Sequence, residues 1–341
     1  MEYPAKSQNA LAAGVPGRRE EECDVTRNDD LKTSTRTSAG ATRSAVPTDA
    51  ELARSLGGGF RSDHVTADGL RLHYVAGGTG KPLLLLPGWP ETWWEFRKVM
   101  PALAAAGRRV IAADLPGMGT SAKPAGGYDK KSMATAVRGL VRALGYDRVD
   151  IAGHDIGAQI AFSFAANHPE ATGRIAMLDI LHPDESVYEL RMVPLPGQPY
   201  HPWWFAFNQV AGLPERLLAG RSRLLVDWIF DNFLLNRDAV GELDRAVYAH
   251  HYDDPDNIRG GNAWYGTFGQ DVVDLADYGR VTAPVLGMVS NLADGAFAAQ
   301  MRATLPNQAT DVRVVVVPDS GHYLVEESPQ TVIDHFTEFF A

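Results

Sequence analysis

Short runs of Leu, Val, Ile and Ala recur at 72–75, 83–86, 110–113, 149–152, 175–178, 285–289 and 312–317, separated by longer amphipathic stretches. Most of these runs are apolar at every position rather than at alternate ones. Strands of that kind have both faces covered, so the pattern predicts an α/β architecture with a mostly parallel sheet flanked by helices. Between Ile180 and about Ala276 the pattern changes to aromatic-rich segments of helical period, among them 203–209, 223–235 and 239–251. This stretch reads as a helical insertion that interrupts the sheet order. The first 58 residues lack apolar periodicity and mix charges with Ser and Thr, a composition that does not repay the entropy of ordering. They read as a flexible extension with a short helix at Asp49–Ser55, and Gly57-Gly58-Gly59 marks the domain start. The expected organisation is an extension over 1–58, a sheet domain over 59–182 and 277–341, and a helical cap over 183–276.

Composition narrows the function classes. With 341 residues, 45% of them hydrophobic, the chain can bury a sizeable core without disulfides. Asp and Glu number 42 against 32 Lys and Arg, a net charge of −10 that argues against a nucleic-acid partner. The single cysteine, Cys23, excludes an intrachain disulfide and a thiolate metal site. No apolar run approaches the roughly 20 residues of a membrane span, and no charged, then apolar leader opens the chain. The expectation is a cytoplasmic protein with no membrane partner.

The segment richest in chemistry is Gly153-His154-Asp155-Ile156-Gly157, where a strand runs into a helix. Two glycines permit a tight strand-to-helix turn that lifts the middle side chain into the open. Here that side chain is a carboxylate, which can displace at an sp3 carbon and leave an alkyl ester on the enzyme. An Asp in such a turn is also a common helix N-cap, so the motif alone does not establish catalysis. Two further segments support it. The run 83–86 ends in Pro87-Gly88-Trp89-Pro90, a turn whose backbone N–H groups can face a developing oxyanion. After the run 312–317 comes Gly321-His322, so the nucleophile precedes the histidine in the chain.

From about Asp63 to Ala341 the sequence resembles the α/β-hydrolase superfamily, in the branch of epoxide hydrolases, haloalkane dehalogenases and fluoroacetate dehalogenases. The residues that carry the resemblance are Pro87-Gly88-Trp89-Pro90, Asp114-Leu115-Pro116-Gly117-Met118-Gly119-Thr120-Ser121, the Asp155 turn and Gly321-His322. It implies Asp155 as nucleophile, His322 as the base that activates water, and the N–H groups of Trp89 and Ile156 as oxyanion hole. Pro87 departs from the family, which usually has histidine there. The acid that orients the histidine has two candidates, Asp179 after the run 175–178 and Asp294 after the run 285–289, with Asp179 favoured.

Within the insertion, Trp203, Trp204 and Tyr265 fall where such relatives carry groups that hold the leaving atom. A phenol can deliver a proton whereas an indole N–H only donates a hydrogen bond, so Tyr265 is the expected acid, aided by Trp203 or Trp204. Ile156 stands where haloalkane dehalogenases carry a halide-binding tryptophan. Ile156 and Gln159 also match positions where fluoroacetate dehalogenases carry arginines. The expected activity is therefore hydrolysis of an epoxide to a vicinal diol, the alternatives being a dehalogenase with the same nucleophile or a non-catalytic binding protein. Trp89, Trp93, Trp203, Trp204, Phe207 and Trp264 suggest an apolar, polycyclic substrate. The Asp, double-Trp and Tyr set is also similar to that of epoxide hydrolases in kinamycin- and lomaiviticin-type aromatic polyketide pathways, which implies antibiotic biosynthesis. No cofactor and no metal are expected, and a homodimer is the one assembly considered. Lys98, Arg108 and Arg109 read as solvated charges, and His154 as packing beneath the turn.

Overall fold

The computed structural model describes residues 46–191, 193, 202–291 and 295–341. Its sheet contains β1 (Arg61–Ala67), β2 (Leu70–Gly77), β3 (Lys81–Leu86), β4 (Arg108–Ala113), β5 (Val149–His154), β6 (Thr172–Leu178), β7 (Val285–Ser290) and β8 (Val312–Val317). The spatial order is β1-β2-β4-β3-β5-β6-β7-β8, with β1 and β2 antiparallel to their neighbours and every later pairing parallel. All seven expected runs lie inside β2 to β8, and Leu83, Leu84, Leu85 and Leu86 of β3 are almost wholly buried. Burial on both faces is why the inner strands β3 to β7 read as apolar runs, whereas β8, at the sheet edge opposite β1, is only partly buried and keeps an exposed Arg313. β1 was not expected, because its polar Arg-Ser-Asp-His start sits at the exposed sheet edge.

Helices α1 (Asp49–Ser55), α2 (Met100–Ala105), α3 (Lys130–Ala143) and α4 (Ile156–Asn167) precede the insertion. α3 is capped by the Asp129 side chain and buries Met133, Ala134, Val137, Leu140 and Val141, one apolar stripe at helical spacing. α4 is buried on nearly every side and packs on β5 and β6. Between β6 and β7 come α5 (Trp203–Phe207), α6 (Leu213–Leu218), α7 (Ser222–Phe233), α8 (Glu242–His251), α9 (Pro255–Gly266) and α10 (Phe268–Asp277). These six helices fall within the stretch that the sequence reads as an insertion. α11 (Ala296–Gln308), α12 (Leu324–Glu327) and α13 (Pro329–Phe339) complete the chain, and no helix among the described residues is long and apolar enough to cross a membrane.

The folded unit reaches back beyond the expected start at Gly59. α1 is present over the expected residues, closed by a Thr48–Glu51 capping box, and buries Leu52 and Ala53. Asp49 also accepts a hydrogen bond from the Trp93 indole at 2.7 Å. The rest of the expected extension, residues 1–45, lies outside the described residues. Two charges expected in solvent are partnered instead. Arg108 is buried and paired with Asp150 and the Phe340 carbonyl, while Lys98 reaches the Ala239 carbonyl and Glu326.

Register places the site. Leu86 pairs with Gly153, His154 with Leu178, Leu178 with Met288, and Ser290 with Val317. The loops leaving β3, β5, β6, β7 and β8 therefore emerge side by side at the carboxyl ends of the strands, where open α/β sheets bind ligands.

Candidate active site

Asp155 occupies the apex between β5 and α4 with φ of 46° and ψ of −124°. A non-glycine residue rarely adopts a positive φ, and surrounding structure must hold it there. Part of that structure is Gly157, where a Cβ would come within 2.1 Å of the Leu86 carbonyl oxygen. The Asp155 side chain does not cap its helix. Its Oδ2 instead accepts the Trp89 N–H at 3.0 Å, because Trp89 follows β3 as Asp155 follows the adjacent β5. Ile156 opens α4, and the first N–H groups of a helix have no intrahelical acceptor.

Asp179 follows β6, also at positive φ, 52°. Its N–H donates to the Met288 carbonyl at 2.8 Å, and its Oδ1 accepts the Ser290 N–H at 2.6 Å. Oδ2, thus aimed, lies 2.7 Å from Nδ1 of His322. The His322 N–H donates to the Phe233 carbonyl of α7 at 3.2 Å, tying the base loop to the insertion. Asp294, the alternative acid, lies outside the described residues.

Asp155, Asp179 and His322 line a cavity of about 240 Å³ together with Trp89, Trp204 and Tyr265. Tyr265 is 2% exposed and its ring meets that of Trp89 edge-on at 5.6 Å. Burial, reinforced by the Asp155 charge, pushes the phenol well above its ordinary pKa, against the opposing effect of a hydrogen bond with Trp204. An indole can only donate, so Tyr265 accepts from Trp204 and keeps its own proton for another acceptor. Trp203 is placed elsewhere. It is not among the residues that line the cavity and packs edge-on against Trp228 at 5.1 Å and Phe207 at 5.6 Å, because neighbours on a helix point in different directions.

The expected aromatic lining needs the same correction. Only Trp89 and Trp204 of the six line the cavity. Trp93 bonds Asp49, and Trp264 donates to the Pro116 carbonyl at 2.9 Å. The remaining wall is Ile180, Phe205, Ile229, Phe233, Ser290, Phe297 and Tyr323, which sequence reasoning missed. Ile229 and Phe233 are four apart on α7, so its helical period carried that signal. Among the described residues no Lys or Arg lines the cavity, and Gln159 is buried with its amide directed to the Leu181 carbonyl at 3.3 Å. His154 lies beneath the turn as expected, but its neighbours Glu91 and Glu95 were not foreseen.

The family model described as the alpha/beta hydrolase fold matches residues 81–226. The soluble epoxide hydrolase of Corynebacterium sp. (strain C12) is 36% identical over 282 residues, 80% of this chain and 95% of the relative. A fluoroacetate dehalogenase of Burkholderia sp is 29% identical over 300 residues, 83% of this chain and 94% of the relative. Among solved structures, the epoxide hydrolase CorEH superposes with a TM-score of 0.71 at 33% identity, covering 82% of this chain and 98% of that one. The chain belongs to the α/β-hydrolase superfamily, among relatives that include epoxide hydrolases and dehalogenases. It is a hydrolase. These relatives lend no support to the polyketide-pathway expectation.

Proposed function

We propose that this hydrolase opens small apolar epoxides to vicinal diols. The observation that carries the reading is that the Asp155 carboxylate and the buried Tyr265 phenol, its pKa raised, line one apolar cavity with no Lys or Arg among its described lining residues. A haloacetate would bring its own negative charge to that wall without a cation to meet it. At about 240 Å³ the cavity lies below the roughly 300–1,000 Å³ of drug-sized sites, which favours a one-ring epoxide over the polycyclic one expected earlier.

In the first step an Asp155 oxygen attacks an oxirane carbon. The carbon–oxygen bond breaks, its electron pair stays on oxygen, and Tyr265 donates to the developing alkoxide while Trp204 holds the phenol oxygen. Asp155 then carries an alkyl ester. In the second step Nε2 of His322 takes a proton from water, which attacks the ester carbonyl carbon, and Asp179 steadies the imidazolium. Negative charge on the carbonyl oxygen meets the N–H groups of Trp89 and Ile156. Collapse expels the diol oxygen, which takes the proton held by the imidazolium; the proton left on the Asp155 carboxyl returns to the Tyr265 phenolate, so carboxylate, phenol and neutral imidazole are all restored and one water is consumed. The inserted helices serve as the cap over this chemistry.

Removal of the base traps the ester. H322Q, incubated with styrene oxide, cyclohexene oxide, fluoroacetate and 1-chlorobutane, is expected to gain the whole mass of an epoxide, mapped to Asp155, by intact-protein mass spectrometry. D155N should gain nothing. Gain of substrate minus hydrogen halide would make the chain a dehalogenase, and no adduct from either epoxide would overturn the reading.

A further inference from the structure

Three buried ionisable side chains lie directly behind the reacting groups. Glu95, in the short 3-10 turn Trp93–Lys98, is 1% exposed and accepts the Gly88 N–H at 2.9 Å. Its other oxygen is 3.2 Å from Nδ1 of His154, whose Nε2 lies 2.9 Å from the His322 carbonyl oxygen. Glu91 closes the group, 3.6 Å from the same Nδ1. Nε2 faces a carbonyl and therefore donates. Nδ1 faces carboxyl oxygens, and although burial opposes the charge, the nearby Glu95 and Glu91 raise the imidazole well above its ordinary pKa. Burial and the Glu95 charge push Glu91 well up, so Glu91 keeps its proton.

Glu95 touches the chain beside each working group. Gly88 precedes Trp89, which donates to Asp155; His154 precedes Asp155 and holds the backbone of His322. A Cβ on Gly88 would come within 2.8 Å of both Asp155 Cβ and His154 Nδ1, so the turn cannot be held by a side chain of its own. Pro87, where the family usually has histidine, has no N–H to offer.

We infer that Glu95 is a positioning residue that sets the oxyanion-hole turn for ester hydrolysis, through Gly88 on one side and His154 on the other. The inference rests on the ester mechanism above. It singles out the second step because stabilising a new oxyanion depends on donor placement more than hydrogen-bonding a resting carboxylate does.

In E95A the Gly88 N–H loses its acceptor, whereas E95Q keeps an amide oxygen for it. With a one-ring epoxide, E95A should lower kcat about tenfold or more and KM in parallel, leaving kcat/KM unchanged, because only ester hydrolysis slows. The ester should then accumulate on Asp155 during turnover, and E95Q should restore most of kcat. Amide hydrogen exchange without substrate should rise in the segment 87–92 of E95A, but not of E95Q, with β6 and β7 unaltered. If E95A does not fold, E95D, whose shorter carboxylate falls short of Gly88, takes its place. Unaltered exchange over 87–92, or equal losses in kcat and kcat/KM at constant KM, overturns the inference. Absence of epoxide turnover in the wild type would sink the proposed reaction instead, and the exchange result would still decide the case for Glu95.

Discussion

Residues whose roles depend on local backbone were the legible ones. Gly153, Asp155 and Gly157 announce a tight turn by residue type and spacing, and Asp179 and His322 each follow a run that reads as a strand. Which of two adjacent tryptophans faces the cavity is decided by the rotation of a short helix, and no local pattern carries it. Glu91, Glu95 and Lys130 were invisible because a charge is buried only when a distant partner accompanies it. Tyr265 shows what the resulting environment does. Burial and the Asp155 charge raise its pKa, so its neutral form persists as pH rises rather than being lost. The rate of ester formation should therefore stay level to about pH 10, the ordinary phenol value, and an alkaline loss below that pH would contradict the assignment. Y265F should slow ester formation by about 100-fold, read by stopped-flow quenching of tryptophan fluorescence. A wild-type rate in Y265F would move the donor role to Trp204.

At the level of elements, strands buried on both faces were read correctly, whereas β1, half exposed at the sheet edge, left no apolar run to find. The loop after β6 shows how one such connection is secured. His182 is 2% exposed; its Nε2 lies 2.9 Å from Ser163 Oγ on α4, and its Nδ1 lies 3.1 Å from the Pro183 carbonyl oxygen. Tyr278, just past α10, donates to the same Ser163 oxygen at 3.2 Å. Burial brings His182 down to about 3 from 6.5. Between those values the unfolded chain binds a proton that the folded chain does not, so this contribution is complete above pH 6.5 and is lost as pH falls. The slope approaches about 1.4 kcal/mol per pH unit. Comparison of urea unfolding at pH 7 and pH 5 should show H182Q less stable at pH 7, with the gap to wild type narrowing by more than about 1 kcal/mol at pH 5. His73, whose pairing with Asp114 outweighs burial and raises its pKa, has the opposite pH dependence but cancels in the comparison. Parallel curves would mean that His182 is not held neutral.

Across the whole molecule, the proposed reaction needs the insertion registered on the sheet domain so that Tyr265 faces Asp155, and among the polar ties that span the two is a buried pair, Lys130 with Asp271. Lys130 opens α3 and is 0% exposed; Nζ donates to Asp271 on α10 at 2.8 Å and to the Trp264 carbonyl at 2.7 Å, next to Tyr265. The Lys130 N–H also donates to Asp271 at 2.7 Å, and Nζ lies 4.8 Å from the centre of the Phe268 ring. Burial pulls Lys130 below its ordinary pKa and pushes Asp271 above its own, in each case against the attraction of the partner. Desolvation opposes the pairing, so registration rather than stability is the role to be tested for this pair. Removal of one partner then leaves a buried charge uncompensated, whereas removal of both does not. K130M should cost about 3–5 kcal/mol in urea unfolding, and K130M/D271L should recover most of that loss. The double variant should nonetheless form the Asp155 ester more slowly than wild type, because the Trp264 carbonyl has lost its donor and Tyr265 is less firmly aimed. Costs that simply add, with unaltered ester formation in the double variant, would show that this pair does not register the insertion.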